Sequence, residues 1–257
     1  MFPIGDENGR RRGSTPVVVA LVALNVAVFL FLQQCGADPR TAASLGAVPQ
    51  ELIEGRDITT QDQRVADPWT RRVYLVPGLG ETPVWVYLTI VTSMFLHGGL
   101  GHLFGNMLYL WIFGDNVEER LGRTRFALLY LLSGVAGVAA HVAEAALTGR
   151  GLLTPMIGAS GAISGVLGAY LAFFPRNRVY VLAFGFVPTG LPALLVIGLW
   201  FVLQLVNGLG TGGGGVAWMA HVGGFVAGWL LARLAGGTRT KPPASGASDG
   251  VEWTILE

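Results

Sequence analysis

The chain has 257 residues, 52% hydrophobic and only 13% charged, with a net charge of +1 and a mean hydropathy of +0.54. Soluble domains carry about 25% charged residues, so the composition excludes an ordinary water-soluble protein. The near-neutral charge and the lack of a basic stripe exclude a nucleic-acid partner, and a single cysteine, Cys35, excludes an intrachain disulfide.

Residues 1–15 read as a polar N-terminal arm that ends in the cluster Arg10–Arg12. Pro16–Leu32 is too long for a signal-peptide core, and no small-residue cleavage site follows, so it is expected to be a retained first span. Residues 33–83 form a loop too long to be a mere connector; part of it is expected to fold at the membrane surface, with Trp69, Tyr74 and Trp85 as interfacial anchors. The apolar residues Val84–Leu96 lead into a second span, Leu100–Phe113. Phe126–Leu147 is the third and Ile157–Phe174 the fourth. Arg176–Pro188 reads as a short loop before the fifth span, Leu191–Val206. A glycine-rich loop, Asn207–Gly215, is expected to be mobile and precedes the sixth span, Val216–Leu234; residues 236–257 have the composition of a disordered tail. The expectation is an all-α membrane protein, a bundle of six transmembrane helices over residues 16–235.

Arginines in short loops set orientation. Arg10–Arg12 precede span one. Arg120, Arg123 and Arg125 follow span two, Arg176 and Arg178 follow span four, and Arg233 and Arg239 follow span six. Both termini are therefore expected in the cytoplasm. Spans two, four and six then run inward, which puts His102, Asn106, Ser160 and His221 at one depth in the outer leaflet. His102 and Asn106, four residues apart, share a helix face.

A serine hydroxyl becomes a nucleophile when a neutral imidazole takes its proton. Ser160 and His221 supply that pair. The developing oxyanion needs donors, and the Ser160 N–H, the Asn106 amide and the His102 ring are candidates. No acid lies near enough to orient His221: between Phe126 and Ser248 there is only Glu144, near the outer end of span three, and Asp115 falls at the inner end of span two. The expectation is a dyad whose imidazole is held by packing and local hydrogen bonds. Gly161–Gly165 and Gly224–Gly228 are GxxxG patterns that let spans four and six approach closely.

Each feature alone has a plainer reading. A serine after Gly158 is commonly a small packing residue, and a lone His221 or Asn106 a helix–helix hydrogen-bond partner. His141 and Glu144 read as a polar pair at the mouth of span three rather than a metal site, and Glu118–Arg120 as a solvated loop. No His-Glu-x-x-His motif is present, and Asp115 has no second membrane aspartate with which to share a proton. A transporter would need a polar path inward, but the inner halves of spans two, four and six offer only Tyr109 and Tyr170.

The segments His102-Leu-Phe-Gly-Asn106, Phe113–Gly122, Gly158-Ala-Ser160-Gly161 and Ala220-His221-Val-Gly-Gly224-Phe-Val-Ala-Gly228 resemble the rhomboid family of intramembrane serine proteases. The similarity runs from about Thr92 to Leu234. It implies Ser160 as nucleophile, His221 as base, and His102, Asn106 and the Ser160 N–H as the oxyanion hole, with no cofactor or metal. It implies a cavity open to the outside and single-span membrane proteins as substrates, cut within the lipid bilayer near its outer face. The fifth span and the 207–215 loop resemble the family's gate and cap. Some relatives carry an aromatic residue one turn after the nucleophile, stacked on the histidine; Ser164 stands there in this chain. A prokaryotic plasma membrane is the expected location, and a non-catalytic membrane-helix-binding protein of the same fold is the alternative function.

Overall fold

The computed structural model describes residues 2–7, 14–66, 73–183, 187–209 and 216–236. The expected tail beyond Gly236 and residues 210–215 of the glycine-rich loop lie outside them. A short strand, β1 (Phe2–Asp6), precedes α1 (Pro16–Ala27), which continues through one wide turn, Val28–Leu32. The long loop holds α2 (Pro39–Leu45), α3 (Pro49–Glu54) and an antiparallel hairpin of β2 (Gln63–Ala66) and β3 (Val73–Val76). Then follow α4 (Thr89–Thr92), α5 (Leu100–Leu121), α6 (Arg123–Thr148) and α7 (Ser160–Phe173). A second hairpin, β4 (Arg178–Ala183) and β5 (Val187–Pro192), leads into α8 (Ala193–Leu209), and α9 (Trp218–Ala235) ends the described chain. Among the described residues, only α6 is long and apolar enough by itself to cross a bilayer; Val86–Phe95 with α5 makes a second candidate, bent by 81°.

Local chemistry explains the loop. Asp38 accepts from the Arg40 N–H to cap α2, with Pro39 at the first helical position, where its missing N–H does no harm. Gly55, at φ +67°, ends α3 in the left-handed conformation that glycine adopts without strain. Paired backbone bonds between Ala47 and Met156, 3.0 and 2.9 Å, tie the loop to the segment before α7. The bend before α5 is fixed by Gln33, whose Oε1 accepts from the His97 N–H at 2.8 Å and whose amide donates to the His97 carbonyl at 2.9 Å.

At the centre of the bundle α7 is buried from Gly161 to Tyr170, with α9, α6 and α5 around it. Glycines set the closest approaches. A methyl group on Gly224 would collide with the Gly161 carbonyl, one on Gly228 with the Gly165 carbonyl, and one on Gly165 with the Ser133 side chain. Close contact of helix backbones supplies dispersion energy that lipid-facing surfaces cannot.

Two features depart from the sequence reading. Glu118, expected in a solvated loop, is buried, and its carboxylate accepts from the Val17 and Val18 N–H groups at 3.1 and 2.8 Å. It caps the start of α1, where free N–H groups and the helix dipole favour an anion. The polar arm and the short loop at 176–188 join instead in one antiparallel sheet, ordered β1-β4-β5. Asp6 Oδ2 then accepts from Tyr170 Oη and Asn116 Nδ2, both at 2.6 Å, which pins the arm to the end of α7 opposite Ser160.

Gly228→Ala is expected to destabilise the protein by about 1–3 kcal/mol through overpacking, read as a lower unfolding midpoint in detergent. Glu118→Ala is expected to cost about 2 kcal/mol by leaving one buried and one partly buried donor unpaired, and Glu118→Gln less, because one acceptor remains; the same unfolding assay ranks the two.

Candidate active site

Ser160 opens α7, so its N–H is among those the helix itself leaves unbonded. The close α7–α9 packing sets His221, one turn into α9, opposite it: His221 Nε2 lies 2.8 Å from Ser160 Oγ. The other ring nitrogen, Nδ1, lies 2.7 Å from Oε1 of Gln204 on α8. The Trp200 ring lies near the His221 ring at 6.0 Å and 31°, and Trp218 meets it edge-on at 6.2 Å. The aromatic neighbours of His221 thus come from α8 and the start of α9, while Ser164 turns back and donates to the Ser160 carbonyl at 2.6 Å.

His102 and Asn106 lie on the first turns of α5. His102 Nδ1 accepts from the Gly98 N–H at 3.3 Å, so the neutral ring carries its proton on Nε2. That edge sits against Gly158, where φ is +127° and a methyl group would come within 2.9 Å of Nε2. Gly158 is therefore the residue that lets the turn before Ser160 and the His102 ring share one space. Asn106 is buried, and its Nδ2 has no hydrogen-bond partner. A buried amide left unpaired costs about 1–3 kcal/mol, which makes Asn106 an anomaly that a ligand oxygen would relieve.

These groups face a cavity of about 890 Å³ that is also lined by His141 and Glu144. His141 Nδ1 and Glu144 Oε2 are 3.5 Å apart, and among the described residues no cluster of three or more metal-binding side chains occurs. His97 is buried, with its ring 5.2 Å from that of His102. Gln204 is the site residue the sequence reading missed. Its signal was present: an amide inside the apolar run of α8 is as costly as those singled out on other helices.

The Rhomboid domain family matches residues 84–237, and this chain belongs to that family of integral membrane proteins. It is 34% identical over 143 residues to Rhomboid protein 1, mitochondrial, of Saccharomyces cerevisiae, covering 56% of this chain and 40% of the yeast protein. It is 33% identical over 147 residues to Rhomboid protease GluP of Bacillus subtilis, covering 57% of this chain and 26% of GluP. RHOMBOID-like protein 6, mitochondrial, of Arabidopsis thaliana is 32% identical over 248 residues, covering 88% of this chain and 72% of the plant protein. The chain thus spans well under half of the yeast and Bacillus relatives. The family's activity is generally that of serine proteases.

Proposed function

We propose that this chain is a serine endopeptidase that cuts single-span membrane proteins within the bilayer, near its outer face. The observation that carries the reading is Ser160 Oγ 2.8 Å from His221 Nε2, on the wall of a cavity that also holds the unpaired Asn106 amide.

The chemistry follows from the residues. Ser160 Oγ attacks the scissile carbonyl carbon as its proton passes to His221 Nε2. The carbonyl oxygen gains negative charge and is met by Asn106 Nδ2, the His102 ring N–H and the Ser160 N–H. The C–N bond breaks as His221 returns the proton to the leaving nitrogen, leaving an acyl ester on Ser160. A water from the cavity, deprotonated by His221, then attacks that ester, and His221 passes the proton to Ser160 Oγ as the acyl C–O bond breaks, freeing the serine and the carboxylic acid product. No step calls for a cofactor, a metal or a nucleic acid.

In this reading α1, α5, α6, α7, α8 and α9 cross the membrane and both termini are cytoplasmic, as the loop arginines indicate. The 14 residues of α7 rise about 21 Å, short of a hydrocarbon core of ~30 Å. With the Phe173 end at the inner boundary, Ser160 lies roughly 9 Å below the outer one. A cavity is then required to bring water to the ester. The substrate helix must loosen to expose its backbone, because a helical amide is already hydrogen-bonded and sterically shielded. The relatives include mitochondrial proteins as well as one from Bacillus subtilis, so they do not select a prokaryotic plasma membrane; the mechanism needs only a bilayer.

The test is cleavage of a single-span reporter by purified protein in liposomes. Wild type is expected to cut near the reporter's outer end, and Ser160→Ala not at all. Equal processing by both would remove Ser160 from the chemistry, and a protein that binds the reporter without cutting it would fit the helix-binding alternative. Asn106→Ala is expected to lower kcat about 100-fold with little change in KM, the effect of losing one oxyanion donor, as measured on the same reporter.

A further inference from the structure

We infer that Gln204 is the positioning residue of the site: it fixes the tautomer and the plane of His221, the work a carboxylate does in a triad. The inference rests on the protease reading above. A chain of hydrogen bonds with a defined direction supports it. The Trp200 carbonyl can only accept, and Gln204 Nε2 donates to it at 3.3 Å. That orients the amide and leaves Oε1, which can only accept, facing His221 Nδ1 at 2.7 Å. Nδ1 must then carry the ring proton. The neutral ring therefore presents a lone pair at Nε2, 2.8 Å from the Ser160 hydroxyl it has to deprotonate. The opposite tautomer would aim an N–H at Ser160 and set a lone pair against Oε1. Gln204 itself is buried, so water cannot readily take its place.

The position of Gln204 on α8 adds a consequence. Trp200 and Gln204, one turn apart, supply both the ring neighbour and the orienting acceptor of His221. The helix that resembles a gate thus carries the support of the base, and the dyad is set only while α8 packs on α9. A substrate that holds α8 open leaves His221 free to rotate; one that lets it close restores the base.

The experiment compares wild type, Gln204→Met and Gln204→Glu in liposomes with the single-span reporter, and follows the His221 ring by nitrogen-15 NMR of the detergent-solubilised protein. Met keeps the volume and removes the acceptor; Glu keeps the acceptor and adds a charge. The expected results are a kcat at least tenfold lower for Gln204→Met with KM within twofold, and a mixture of ring tautomers where wild type shows one, protonated at Nδ1. Gln204→Glu is expected to keep activity within tenfold of wild type and to move the acid limb of its pH–kcat profile to higher pH. Wild-type kcat and a single Nδ1–H tautomer in Gln204→Met would overturn the proposal. So would a Gln204→Glu enzyme as impaired as Gln204→Met with an unshifted pH profile, which would reduce Gln204 to packing. If Gln204→Met fails to fold, the Gln204→Glu profile decides. Should wild type and Ser160→Ala process the reporter alike, the protease reading fails, while the wild-type tautomer still reports on Gln204.

Discussion

Everything at this site depends on how closely two helix backbones approach. Gly224 and Gly228 of α9 sit against the Gly161 and Gly165 carbonyls of α7 with no room for a methyl group. That spacing puts Ser160 and His221, on different helices 61 residues apart, within hydrogen-bond distance. Helices separated by ordinary side chains pack 8–10 Å apart, and short side chains such as serine could not bridge such a gap to place the hydroxyl on an imidazole edge. In lipid, where apolar contact between helices has no hydrophobic advantage, close backbone packing is also what holds the bundle together. The same glycines therefore serve stability and geometry at once.

A second constraint is the high energy of unpaired polar groups in an apolar interior. It favours definite bonds for the polar side chains near the site. Gln33 grips both backbone groups of His97 and sets the bend that presents α5. Gly98 engages one nitrogen of His102, and Gln204 engages one nitrogen of His221. Asn106 Nδ2, like the His97 ring nitrogens, Ser133 Oγ and Trp218 Nε1, is buried without a partner, and it lies where the proposed chemistry generates a negative oxygen. Low dielectric strengthens the hydrogen bonds that exist and penalises those withheld.

Much of this was legible in the sequence. Long apolar runs fix helices well, and the structure begins and ends α6, α7, α8 and α9 within a few residues of the expected bounds. Ser160, His221, His102 and Asn106 stood out because polar residues are rare in such runs and matched in depth. What escaped was the non-local detail. The β1-β4-β5 sheet joins residues 173 to 180 positions apart, and no local pattern in Phe2–Asp6 announces its partner. Glu118 looked like one more charge in an arginine-rich loop, because its role depends on where the start of α1 comes to lie. Gln204 carries no charge to mark it within the apolar run of α8, and its role depends on where α9 brings His221.

That choice of group has its own logic. A carboxylate beside His221 would stabilise the imidazolium formed when Ser160 gives up its proton, but in the resting state it would be an isolated buried anion, with a desolvation penalty of several kcal/mol. A neutral amide avoids that penalty and still dictates the tautomer. It contributes less to the charged state, so the positive charge on His221 has to be balanced elsewhere. In the proposed chemistry the nearest balance is the negative oxygen created in the same step on the other side of Ser160, where Asn106 and His102 would meet it. In such a site the base and the oxyanion hole stabilise each other across the reacting carbon, and neither carries a full charge until substrate is bound.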